Sequence, residues 1–165
     1  MPCGARVLFA VIDGLGHGPE AAKAAGAASD FIAANALLPL ERLLRSCDRA
    51  LGGTRGAAIT VVRIGQAPGE FEHVAVGNVE LAARSQEPIR PITCPGIVGG
   101  DFRKAQVSVH PLHPGDRIAI CTDGISSRFR LDELSGGAPQ SVAQRILDQY
   151  GQSHDDATCL VIDLP

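Results

Sequence analysis

Residues 57–84 read AAITVVRIGQAPGEFEHVAVGNVELAAR, and their texture decides the fold class. Short runs rich in β-branched and apolar residues, 57–64, 71–76 and 80–84, are separated by Gly, Pro and Asn. Runs of this length between turn residues predict three strands, with Gly77-Asn78 a tight turn or bulge between the second and third. Upstream, residues 6–12 (RVLFAVI) form another such run, stopping at Asp13-Gly14, and predict a buried strand. Gly16, Gly18 and Pro19 then lead into an Ala-rich helix to about Leu37, with Pro19 in its first turn and Glu20 near its positive end. Pro39 restarts a second helix, LERLLRSCDRAL, closed by Gly52-Gly53. Downstream, residues 106–110 predict a strand and Pro114-Gly115-Asp116 a turn. Residues 117–122 (RIAICT) predict a strand ending at a second Asp-Gly, Asp123-Gly124. A loop over 136–139, a short amphipathic helix over 141–150 and a last strand over 157–164, preceded by His154-Asp155-Asp156, complete the chain. Early and late helices flanking a run of strands indicate an α+β fold dominated by antiparallel pairing, not βαβ alternation.

The length of 165 residues suits one domain, 1–165, and 45% apolar with 20% charged residues supports a real core. Fifteen basic against eighteen acidic residues argue against a nucleic-acid partner. Base stacking is disfavoured by 4% aromatics, no Trp and the single Tyr150. The longest apolar stretch, 21–40, is broken by Lys23, Asp30, Asn35 and Pro39, so no membrane partner is expected. The start, Met1-Pro2-Cys3-Gly4-Ala5-Arg6, lacks the layout of a secretory signal. The five cysteines form no CxxC, and Cys121 and Cys159 sit in apolar runs, where they read as small buried side chains. Together these features point to the reducing cytoplasm.

Acid stands at the end of three apolar strands: Asp13 after VLFAVI, Asp123 after IAICT, and Asp155-Asp156 before ATCLVID. A carboxylate at the mouth of a core costs several kcal/mol of desolvation unless it is compensated. Few cations lie nearby in sequence. A divalent metal with oxygen ligands, Mg²⁺ or Mn²⁺, would compensate all three, and simple Asp-Gly turn chemistry is the plainer alternative. The Gly14-Leu15-Gly16-His17-Gly18 turn also suggests dinucleotide binding, but Pro19 occupies the third glycine's place in GxGxxG.

Taken in order, Asp13-Gly14-Leu15-Gly16-His17-Gly18, Val76-Gly77-Asn78, Thr122-Asp123-Gly124-Ile125 and Asp155-Asp156-Ala157-Thr158 resemble the metal-dependent protein phosphatases (PPM family), in the form of the SpoIIE/RsbX-type bacterial serine phosphatases. Pro95-Gly96-Ile97-Val98-Gly99 and the Pro114 turn fit the same pattern, and the likeness runs over nearly the whole chain. The resemblance implies two antiparallel sheets packed as a sandwich with helices outside (αββα), and two metal ions at one edge. By motif, Asp13 would bridge both ions and the Gly14 carbonyl would bind one. Asp123 and Asp155 would bind the other, and Asp156 would fix the site by hydrogen bonding. A metal-activated water would attack phosphorus.

The sequence departs from the family pattern in three places. The family normally carries a further acid on a strand before the first Asp. Residues 1–11 hold no Asp or Glu, so either the chain is truncated and lacks the usual first strand, or one metal is weakly held. Leu15 stands where eukaryotic members place a His acid, which leaves His17 as the candidate proton donor. Asn78 stands where many members have Asp. His73 reads as an exposed-face strand residue, and His110 and His113 read as surface turn residues. Arg55, Arg63, Arg84, Arg90, Arg103 and Arg128 are candidates to hold a phosphate. The expectation is a phosphoserine/phosphothreonine phosphatase acting on a phosphorylated bacterial regulatory protein of the anti-sigma antagonist or stressosome type. The alternative is a catalytically weak binding module of the same fold that docks a signalling partner.

Overall fold

In the computed structural model, which describes residues 1–65, 69–100, 102–134, 136–152 and 155–164, the run RVLFAVIDG forms strand β2 (Arg6–Gly14). A two-residue strand β1 (Pro2–Cys3), free of acidic residues, pairs with its start. Strand β2 is antiparallel to β3 (Ala57–Gly65) along its whole length, from Arg6 opposite Gly65 to Gly14 opposite Ala57. Strand β3 pairs in turn with β4 (Gly69–Val76). A second sheet holds β5 (Glu80–Arg84), β8 (Arg117–Cys121) and β9 (Cys159–Asp163), with β8 in the middle. Along the outer edge of β4, β6 (Thr93–Cys94) runs parallel to its end and β7 (Ser108–Leu112) antiparallel to its start. The parallel β4–β6 contact is the exception in an otherwise antiparallel pair of sheets.

Helices α1 (Pro19–Ala34) and α2 (Leu40–Ala50) cover the first sheet, and α3 (Pro139–Tyr150) covers the second. Alternation along β3 shows how the layers are sealed. Ile59 and Val61 meet Ala24, Ala28, Leu43 and Leu44 beneath the helices. Ala58, Val62 and Ile64 meet Phe71, Ile118, Ile120 and Ile162 between the sheets. A third core packs Ala119, Cys121 and Val161 against Val142, Ala143 and Ile146 of α3. Each large aliphatic side chain so buried contributes about 2 kcal/mol. The result is the expected four-layer αββα sandwich, with every predicted strand and helix present and boundaries shifted by a few residues.

The structure corrects the sequence reading in several places. Gly77-Asn78 does not close a hairpin, because β4 and β5 belong to different sheets. Gly77 adopts φ +96°, and a Cβ there would lie 2.9 Å from the Ala58 Cα, so the chain passes close over β3 into the second sheet. Thr60 Oγ1 donates to the Val79 carbonyl at 2.6 Å and pins that crossing. Helix α1 stops at Ala34, short of Leu37, because Asn35 turns back on Phe31 through its side-chain amide. The buried Arg63 guanidinium then takes the carbonyls of Ala36 and Leu38 at 2.9 and 2.6 Å.

His73 is fully buried, not exposed. Strand β4 is covered on both faces, so its alternation has no solvent side. Burial, with His110 nearby, holds the His73 pKa down to about 4. His110 lies within β7 instead of a turn, its ring 5.2 Å from that of Phe71. Strand β2 is followed by a helix, as the dinucleotide reading required, but its sheet neighbour β3 runs antiparallel, which removes the βαβ unit. His154 lies outside the described residues.

Candidate functional site

Both Asp-Gly pairs are shaped by the same constraint. A Cβ on Gly14 would collide with the Ala21 carbonyl oxygen, and a Cβ on Gly124 would collide with that of Asp156. Glycine at these positions lets the first turn of α1 close onto the end of β2, and lets the segment before β9 close onto the end of β8. The preceding aspartates therefore come to the same edge of the sandwich, one from each sheet.

There they face a cleft of ≈ 800 Å³ lined by Asp13, Gly14, His17, Asp123, Asp155 and Asp156, with Asn78 and Gly96 also on its wall. All six residues singled out from the sequence are thus brought together. Asp13 is half-buried and the other three carboxylates are exposed. The Asp13 pKa is raised to about 6, first by burial and then by the negative charges of Asp123, Asp155 and Asp156. The four carboxylates repel one another, and among the described residues none forms a salt bridge.

Hydrogen bonds set the orientation of the carboxylates. Asn78 Nδ2 donates to Asp123 Oδ2 at 2.5 Å, and Gln152 Nε2 donates to the Asp123 carbonyl at 3.0 Å. The Asp156 backbone N–H donates to Asp155 Oδ1 at 2.9 Å, so it is the main chain of Asp156 that steadies its neighbour. Gln152 was not legible as a site residue, since a glutamine after a helix carries no signal of its own. His17 is exposed on the cleft wall and has no hydrogen-bond partner among the described residues.

The donor set tests what the cleft could hold. An all-oxygen, four-carboxylate rim with no paired cation among the described residues matches a hard divalent ion in charge and in ligand type. Among the described residues, no group of three His, Cys, Asp or Glu side chains already stands in a geometry that could hold an ion. The fit is therefore one of chemistry and placement.

The arginines separate by location. Arg63 is buried against the segment joining α1 to α2, and Arg84 donates to the Gly115 carbonyl, so both serve the fold. Arg55 is exposed beside the cleft, with its Nη1 over Gly16, where a Cβ would meet it at 2.7 Å. The Gly16 loop is anchored there by the Leu15 N–H donating to the Gly56 carbonyl at 3.0 Å.

Comparison with known proteins bears on the family and the fold. The sequence pattern of the family described as Stage II sporulation protein E (SpoIIE) matches residues 4–165. Phosphoserine phosphatase RsbX of Bacillus subtilis (strain 168) is 27% identical over 153 residues, spanning 92% of this chain and 77% of that protein. A chain from a solved structure of the bacterial stressosome, described as a modular system adapted to control secondary messenger signaling, has 29% identity and a TM-score of 0.90. That match covers 98% of this chain and 86% of the other. The crystal structure of RsbX in complex with magnesium shares the fold at a TM-score of 0.84 and 24% identity, over 98% of this chain and 82% of the other. The chain belongs to the Stage II sporulation protein E (SpoIIE) family, among the RsbX-type metal-dependent protein phosphatases.

Proposed function

We propose that this protein phosphatase hydrolyses phosphoserine or phosphothreonine on a bacterial regulatory protein of the anti-sigma antagonist or stressosome kind, with Mg²⁺ or Mn²⁺, two ions in all, at the carboxylate cleft. The observation that carries the reading is the convergence of Asp13, Asp123, Asp155 and Asp156, drawn from both sheets, on one cleft that raises the Asp13 pKa. The substrate class is supported by the phosphoserine phosphatase relative and the stressosome likeness.

In this reading Asp13, the Gly14 carbonyl, Asp123 and Asp155 hold the ions. When bound, the ions would supply an activated water and neutralise the phosphoryl charge. Asn78 and the Asp156 main chain keep two of the carboxylates oriented. Arg55, at the rim, takes phosphoryl oxygens of the substrate in a charge-assisted contact. His17 stands on the same wall as a candidate donor of a proton to the departing serine oxygen. No nucleophilic side chain is required. No described helix is long and apolar enough to cross a membrane, and the site of action we propose is the cytoplasm.

The test is a titration of Mn²⁺ and Mg²⁺ against hydrolysis of a phosphoserine peptide. Metal-dependent release of phosphate supports the reading. Absence of both metal binding and hydrolysis up to low millimolar metal overturns it. The binding-module alternative is favoured by one observation, the lack of a ready-made ligand geometry among the described residues, and it predicts partner capture with no turnover at any metal concentration.

A further inference from the structure

Strands β8 and β9 carry a pair of thiols directly behind the cleft. Cys121 and Cys159 are register partners, and the Cys121 Sγ–H donates to Cys159 Sγ at 3.5 Å. Both are free cysteines. In the adjacent cross-strand pair, the Thr122 N–H donates to the Thr158 carbonyl at 3.1 Å. Hydrogen-bonded and non-hydrogen-bonded pairs alternate along an antiparallel ladder. Cys121 and Cys159 therefore form a non-hydrogen-bonded pair, the kind in which Cα atoms stand about 4.5 Å apart and side chains approach most closely. That spacing lies at the short end of what a disulfide spans. The two thiols are thus within the spacing a disulfide can bridge.

The strands lead from the thiols straight to the acids. Asp123 lies two residues beyond Cys121, and Asp155-Asp156 end three residues before Cys159. The Thr158 N–H also donates to Thr122 Oγ1 at 3.0 Å, so the two segments move together. Cys121, itself buried, is among the residues lining a second cleft of ≈ 290 Å³ that shares Asn78 and Asp123 with the first, and Cys159 is half-buried. The other three cysteines, Cys3, Cys47 and Cys94, are buried under the helices of the first sheet.

We propose that Cys121 and Cys159 are a reversible oxidation site, converted by hydrogen peroxide or an organic hydroperoxide into a disulfide that distorts the segments carrying Asp123 and Asp155 and suppresses the enzyme. One thiol, as thiolate, attacks the peroxide oxygen and breaks the O–O bond, giving a sulfenic acid; the leaving oxygen takes the thiol's proton and departs as water, or as the alcohol from an organic hydroperoxide. The second sulfur then attacks the sulfenic sulfur, forming the S–S bond and releasing a second water. Two thiols lose two electrons and two protons to one hydrogen peroxide, which becomes two waters. A dithiol reductant reverses the step by exchange. The consequence for activity rests on the phosphatase reading, whereas the thiol chemistry does not.

The experiment treats the reduced, full chain with graded hydrogen peroxide, blocks remaining thiols with iodoacetamide and maps the peptides by mass. The expected result is a linked Cys121–Cys159 peptide, lost turnover and roughly ten-fold weaker Mn²⁺ binding, the scale of disturbing groups around metal ligands. Dithiothreitol restores all three, and Cys159→Ser keeps basal turnover and resists peroxide. The proposal is overturned if both thiols stay alkylatable, if the linked form binds Mn²⁺ as the reduced form does, or if Cys159→Ser is inactivated equally. If the reduced protein hydrolyses no phosphoserine peptide, the phosphatase reading falls by itself, and the peptide map and Mn²⁺ affinity still decide this site.

Discussion

Asn78 and Asp123 join the two sheets at the mouth of the cleft, the amide Nδ2 donating to the carboxylate Oδ2 at 2.5 Å. Asn78 follows the first sheet's β4 and Asp123 follows the second sheet's β8, so a single hydrogen bond spans the sandwich where the acids meet. Groups that orient a metal's ligands are worth about 10- to 100-fold in affinity or activity. Asn78→Ala is therefore expected to weaken Mn²⁺ binding about ten-fold. The bond is exposed, so thermal stability should change little. Calorimetric titration with Mn²⁺, alongside a melting curve, checks both halves.

Asp123 is expected to show stability and function in opposition. After burial, its charge is the largest cause of the raised Asp13 pKa, so removing it relieves repulsion in the metal-free protein. Asp123→Asn should raise the melting temperature measured in EDTA by a few degrees. The same variant should lose roughly a hundred-fold or more in turnover and most of the stabilisation that Mn²⁺ confers on the wild type. A variant melting at or below the wild type in EDTA would contradict the repulsion argument.

How far the site was legible follows from what kind of signal each residue carries. Asp13, Asp123 and Asp155 stand out because an acid at the end of an apolar strand is visible in one dimension. The reason for the glycines beside two of them is not visible there, since it lies in the carbonyls of Ala21 and Asp156 brought against Gly14 and Gly124 by folding. Alternation along residues 71–76 suggests a solvent face for His73, whereas β4 lies between a helix layer and a second sheet. Gly77-Asn78 carries the same local turn signal whether the chain doubles back or crosses to another sheet, and only the closeness of Gly77 to Ala58 decides for the crossing. Strand β6, two residues long, is held by pairing with Ala75 and Val76 and has no propensity signal of its own. Arg55 was one of six equivalent arginines until tertiary structure set it over Gly16.

That position of Arg55 gives a prediction with a kinetic signature. A guanidinium that takes phosphoryl oxygens contributes to substrate binding more than to chemistry at the ions. Arg55→Ala should raise KM for a phosphoserine peptide about ten-fold, the worth of one charge-assisted contact, with a smaller fall in kcat. Inhibition by inorganic phosphate should weaken in parallel, while Mn²⁺ affinity stays as in the wild type. Arg55→Lys should recover part of the loss, because it keeps the charge but not the bidentate fork.

His73 makes the stability of the fold depend on pH. Its Nδ1 lies 3.3 Å from Ser108 Oγ, and its Nε2 is buried with no hydrogen-bond partner among the described residues. Burial and the neighbouring His110 of β7 lower its pKa from the ordinary 6.5 to about 4 in the folded protein. The unfolded chain therefore takes up a proton in a range where the folded one refuses it. The contribution to stability is fully present above pH 6.5 and is lost as pH falls from 6.5 toward 4. Linkage puts the loss between pH 7 and pH 5 at about 2 kcal/mol from this residue. His110, whose pKa burial also lowers, acts in the same direction. His73→Leu removes the titrating group and the unpartnered nitrogen together. Urea unfolding of both proteins at pH 7 and pH 5 should show a steep fall for the wild type and a much shallower one for the variant. Equal falls would mean that the buried imidazole is not the source.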